Sequence, residues 1–76
     1  VTVSAAQAVV LYHTTNHALR SEKVLTREGL ACKLVPVPRH LSSDCGLSLR
    51  VARHDVARIR QILRDARVEI AGIHEV

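Results

Sequence analysis

A two-layer α+β sandwich is the fold class this sequence predicts, and three observations carry that expectation. Four short apolar stretches have strand character, and two longer ones repeat with a helical period. Their order along the chain is β-α-β-β-α-β. The chain has 76 residues, 47% of them hydrophobic, and Tyr12 is its one aromatic residue. Its core is therefore single, small and aliphatic.

Each element has its own signal. Ala8 to Tyr12 (Ala-Val-Val-Leu-Tyr) is a continuous apolar run rich in strand formers, so it reads as a buried first strand. Thr14 and Thr15 offer helix N-caps. From Asn16 to Glu28, Ala18, Ser21 and Leu25, flanked by Leu19 and Val24, make an apolar stripe. Gly29 then supplies the residue that stops a helix. Ala31 to Val37 reads as the second strand. Pro36 cannot donate to a ladder, which places this strand at a sheet edge. Leu47 to Ala52 alternates, with Leu47, Leu49 and Val51 on one face. Asp55 is a candidate N-cap for a second helix whose buried face is Val56, Ile59, Ile62, Leu63 and Ala66. Glu69 to Val76 is the last strand, interrupted by Gly72. Residues 1–7 are expected to form a flexible tail, and residues 8–76 a single domain.

Right-handed crossovers turn this order into a ferredoxin-like sandwich, with one antiparallel sheet and two helices. Strands one and two then point the same way and strand three returns. The segment Tyr12-His13-Thr14-Thr15-Asn16-His17 and the loop Arg39-His40-Leu41-Ser42-Ser43-Asp44-Cys45-Gly46 are expected to converge at one end.

Composition excludes several function classes. No run of about 18 apolar residues is present, so no membrane span is expected. The start, Val1-Thr2-Val3-Ser4, lacks a basic n-region, so no signal peptide is expected. A cytoplasmic location, where thiols stay reduced, is the expectation. The net charge is +4, but the basic residues are spread along the chain among acidic ones. With one Tyr and no Phe or Trp, base stacking has almost no platform, so nucleic acid is not an expected partner. Paired Cys-x-x-Cys ligands are absent, so no metal site is expected, and no cofactor is implied. The small core makes homodimerisation a natural support.

The sharpest chemical signal is Cys45. A structural cysteine usually sits in an apolar run, whereas this thiol lies in a short polar loop beside Gly46 and shortly after Arg39-His40. A thiolate is the nucleophilic form, and positive charge or a helix N-terminus favours it. Arg39, Thr14, Thr15, Ser42 and Ser43 are candidate anion-holding groups. His40 and His13, with His17 beside them, are candidate proton carriers near neutral pH. Gly46 allows close backbone approach or a positive φ. Cys32 reads as core filler at the far end of the second strand, roughly 20 Å away along about six extended residues. That separation argues against a Cys32–Cys45 disulfide.

The segments Leu11-Tyr12-His13-Thr14-Thr15-Asn16-His17-Ala18-Leu19-Arg20-Ser21-Glu22 and Pro36-Val37-Pro38-Arg39-His40-Leu41-Ser42-Ser43-Asp44-Cys45-Gly46-Leu47 resemble a family of small bacterial proteins described as selenium/sulfur carrier protein-like. The resemblance spans about residues 9 to 73. It implies a carrier that holds sulfur or selenium on Cys45 as a persulfide or selenosulfide. Its partners would be donor and acceptor proteins of sulfur or selenium metabolism. It implies a carrier rather than a turnover enzyme. The Cys-Pro-x-Pro motif of better known sulfur-relay carriers is absent here. Two other readings of the residues stand beside this one: an anion-binding regulatory module that uses the same loops, and a docking subunit that recruits a partner through the sheet edge at Pro36.

Overall fold

The computed structural model describes residues 7–39, 41 and 46–75. They form β1 (Gln7–Leu11), α1 (Thr15–Arg27), β2 (Cys32–Pro36), β3 (Leu47–Ala52), α2 (Val56–Asp65) and β4 (Gly72–Glu75). The four strands lie in the order β2-β3-β1-β4, and every neighbouring pair is antiparallel. This is the α+β, ferredoxin-like arrangement that the element order predicts. Most of the assumed tail, residues 1–6, lies outside the described residues, and β1 opens at Gln7.

Strand pairing explains the core. Ala8 faces Val51, which faces Cys32; Val10 faces Leu49, which faces Leu34, and on its other side Val10 faces Ile73. Side chains on one face of a sheet recur every second residue, so this set shares the face that the helices cover. Ala18 and Leu25 from α1 and Ile59 and Leu63 from α2 close over it. β1 is central, and its opposite-face residues Val9 and Leu11 are buried as well. That is why the strand reads as an unbroken apolar run rather than an alternating one.

The edges and ends follow local chemistry. Pro36 is the last residue of edge strand β2, where its missing N–H costs no ladder bond. α1 begins at Thr15, one residue earlier than expected, because Thr14 is its N-cap. Leu19 does not belong to the buried stripe; it faces solvent at 44% exposure. Asp55 precedes α2 but makes no side-chain capping bond. A 3-10 turn over Arg53–Asp55 leads into the helix instead, and Asp55 Oδ1 lies 3.4 Å from His54 Nε2. The final strand is shorter than its apolar signal, because Val68 to Ala71 is spent on the connection from α2.

Both helices stop in the same way. At the end of α1 the Leu30 N–H donates to the Leu25 carbonyl and the Gly29 N–H to the Thr26 carbonyl, each at 3.0 Å. At the end of α2 the Val68 N–H donates to the Leu63 carbonyl at 2.9 Å and the Arg67 N–H to the Arg64 carbonyl at 3.0 Å. This pairing of six-to-one and five-to-two bonds needs a left-handed residue between them. Gly29 takes that conformation at φ +80, but in α2 the position is filled by Arg67 at φ +59. A non-glycine residue there costs about 1 kcal/mol. Arg67→Gly is therefore expected to raise the melting temperature by about 4–8 °C, the usual shift per kcal/mol for a domain this small. A thermal melt of the variant checks this, and an unchanged or lowered midpoint would contradict the assigned strain.

Candidate functional site

The sheet register brings three connections to one end of the molecule. Leu11, the last residue of β1, pairs with Ser48 near the start of β3, and Pro36 pairs with Leu47. The β1–α1 turn and the β2–β3 loop therefore leave the sheet side by side, as the topology requires. The third connection, from α2 into β4, arrives at the same end. Gly72 pairs with Leu11, and the Ala71 N–H donates to the Leu11 carbonyl at 2.6 Å. Sequence reasoning missed this third wall, which brings exposed Ala71 onto the end of β1. The signal was present, since the second β-α-β unit obeys the same crossover rule as the first.

The helix start is built from its own first residues. Thr14 has an extended backbone (φ −138, ψ 155), and its Oγ1 accepts from the His17 N–H at 3.3 Å. The same oxygen lies 3.2 Å from His17 Nδ1, so the half-buried His17 ring folds back onto the cap. The first intrahelical bond runs from the Ala18 N–H to the Thr14 carbonyl at 3.3 Å. Thr15 and Asn16 are in the first turn, where backbone N–H groups have no acceptor within the helix. No carboxylate stands in that turn, so the positive end of the helix dipole is not offset there. His13, Thr14 and Thr15 are all exposed at this opening.

The β2–β3 loop has a fixed root. The Val37 N–H donates to the Gly46 carbonyl at 3.2 Å, which extends the strand pairing by one bond. The Leu41 N–H donates to the Pro38 carbonyl at 2.9 Å, making a tight turn that carries the exposed Arg39. Ser48, fully buried on β3, donates from Oγ to the Val35 carbonyl at 3.2 Å, with the Pro36 carbonyl at 3.4 Å. This hydroxyl ties down the end of β2, a role that the alternating pattern of the strand does not reveal. Gly46 has φ +75, the left-handed conformation anticipated for it. Cys45, His40, Ser42 and Ser43 lie outside the described residues.

Cys32 is at the other end of the sheet, paired with Val51, half-buried and free. Its Sγ lies 3.8 Å from Thr26 Oγ1, and it packs against the aliphatic core. Four residues of strand, roughly 13 Å, separate it from Pro36 at the root of the loop. Among the described residues, no group of three or more His, Cys, Asp or Glu gathers as metal ligands do. No helix is long and apolar enough to cross a membrane.

Comparison with known proteins fits this geometry. No curated protein and no solved structure matches the chain. A family model described as "Putative Se/S carrier protein-like" matches residues 7–75, from the first residue of β1 to the last of β4. The match takes in the whole sheet, both helices and the loop that carries the thiol motif, and the chain belongs to this selenium/sulfur carrier-like family.

Proposed function

We propose that the protein carries sulfur or selenium on Cys45, receiving it from a donor protein and passing it to an acceptor in the cytoplasm. The observation that carries this reading is the shared end of the sheet. There the root of the Cys45 loop stands beside a helix N-terminus with no carboxylate in its first turn. Family membership over residues 7–75 supports it independently.

The transfer is a redox-neutral exchange. The Cys45 thiolate attacks the outer sulfur of a donor persulfide, the donor S–S bond breaks, and the donor cysteine leaves as a thiolate. Cys45 is then a persulfide. An acceptor nucleophile attacks its outer sulfur, and the Cys45 thiolate leaves. Selenium follows the same steps as a selenosulfide. Arg39, Thr14, Thr15, Ser42, Ser43 and the Gly46 amide would hold the anionic sulfur by charge and hydrogen bonding. His40 and His13 would take up and return the proton.

The test is intact-mass analysis after incubation with glutathione persulfide. Wild type and Cys32→Ser are expected to gain the mass of sulfur, and Cys45→Ser to gain none. An adduct on Cys45→Ser equal to that on wild type overturns the assignment. A second readout is the pH dependence of iodoacetamide alkylation mapped to Cys45. Its midpoint is expected below the free-thiol reference of about 8.5. A midpoint at or above the reference would leave the loop as an anion-binding element with an ordinary thiol.

A further inference from the structure

The two helices carry all of the net charge of the chain. Residues 15–28 and 56–67 hold seven of the 11 Lys and Arg residues but three of the seven Asp and Glu residues. The full +4 therefore belongs to the helix layer, and the rest of the chain is balanced, four against four. Between α1 and α2 runs a groove of about 460 Å³. Half-buried Val24, Ile62 and Ala66 give it an apolar floor, and Arg20, Lys23 and Arg27 line one wall.

The cations of that wall differ in what they already do. Arg20 donates from Nη2 to the Ala66 carbonyl at 3.1 Å, which fixes the wall against the end of α2. Lys23 and Arg27 are exposed, and neither pairs with a carboxylate among the described residues. Asp65, which also lines the groove, accepts from Gln61 Nε2 at 3.1 Å instead.

We propose that this groove docks an acidic segment of a partner protein, with spaced carboxylates against Lys23 and Arg27 and an aliphatic side chain on the Val24–Ile62 floor. Charge complementarity selects this occupant. A second copy of the chain would bring two layers of net positive charge together. A nucleic acid would need a stacking platform, and Tyr12, the one aromatic residue, is fully buried. A continuous phosphate backbone would also meet Glu28 and Asp65 along the groove. The groove lies between the helices, and its lining does not include Val37 or Gly46 at the loop root.

The experiment is an amide-shift titration of the ¹⁵N-labelled full chain carrying Cys45→Ser, which separates docking from transfer. The probe is a synthetic peptide of alternating Glu and Leu, with a Lys-Leu peptide and a single-stranded oligonucleotide as comparisons. The Glu-Leu peptide is expected to shift the amides of Val24, Arg27, Ile62 and Ala66, with an affinity that falls as salt rises. Lys23→Glu together with Arg27→Glu, both on exposed side chains, should weaken binding about tenfold. Glu28→Gln removes a repelling carboxylate and should tighten binding about twofold. This gain cannot arise from misfolding. Equal binding of the Lys-Leu peptide, tighter binding of the oligonucleotide, shifts mapping elsewhere, or no tightening in Glu28→Gln would each overturn the proposal. Docking can hold when the persulfide test fails, and the reverse, so the two failures are distinguishable.

Discussion

Leu49→Ala is expected to remove about 3–4 kcal/mol of stability, the usual cost of deleting a buried leucine where the surroundings cannot collapse. Leu49 is fully buried on β3, between Val10 of β1 and Leu34 of β2 and beneath the helices. It sits on a central strand whose two neighbours fix its backbone, so little relaxation can fill the space. A chain of 76 residues has roughly 4–11 kcal/mol of stability in all. The loss is thus a large share of the total. For a urea dependence of about 1 kcal/mol per molar, the unfolding midpoint should fall by about 3–4 M. Leu19→Ala is the matched comparison. Leu19 is the one large hydrophobic side chain exposed among the described residues, and its removal should change stability by less than about 0.5 kcal/mol. Similar midpoints for the two variants would contradict the packing described here.

The second large effect is expected at Gly46. A Cβ built there meets nothing within 4 Å, so any penalty comes from the backbone at φ +75 and not from crowding. A β-branched residue is the worst choice for that conformation, and Gly46→Val should cost about 2 kcal/mol. Gly46→Asn should cost far less, because Asn tolerates left-handed φ. The penalty falls on the root of the loop, where the Gly46 carbonyl accepts from the Val37 N–H. Hydrogen exchange at the Val37 amide is therefore the local readout. Gly46→Val should speed it by about tenfold for each 1.4 kcal/mol of local stability lost, while Gly46→Asn leaves it near wild type. If both variants exchanged like wild type, the positive φ would carry no cost, and the glycine would be there for another reason.

These two positions show what a sequence of this kind makes legible. Leu49 could be placed in the core because it alternates with Leu47 and Val51, and Gly46 could be read as a turn residue because polar residues precede it and a strand follows. The element order was enough to predict the antiparallel sheet and the end at which two of the connections meet. What escaped notice depends on three-dimensional accounting. Ser48 looks like a solvent-facing residue of an alternating strand, yet its hydroxyl is buried and bonded to β2 carbonyls. Leu19 sits one position from Ala18, and its exposure depends on the precise rotation of α1, which a broad stripe does not fix. Arg67 carries no sign of a left-handed backbone, because the demand comes from the path of the chain into β4. The third wall at the site was missed for the same reason: it is set by where β4 must begin in order to pair with Leu11.

For the proposed carrier, having Cys32 at the far end of the sheet also bears on how long a cargo survives. A persulfide next to a second thiol is short-lived. That thiol attacks the inner sulfur, an internal disulfide closes, and hydrogen sulfide escapes. Here Cys32 is held about 13 Å from Pro36, at the root of the loop, by a paired strand. Under that proposal, Cys32 is expected to leave a sulfur on Cys45 to an outside nucleophile, and the arriving partner to set the rate of its release.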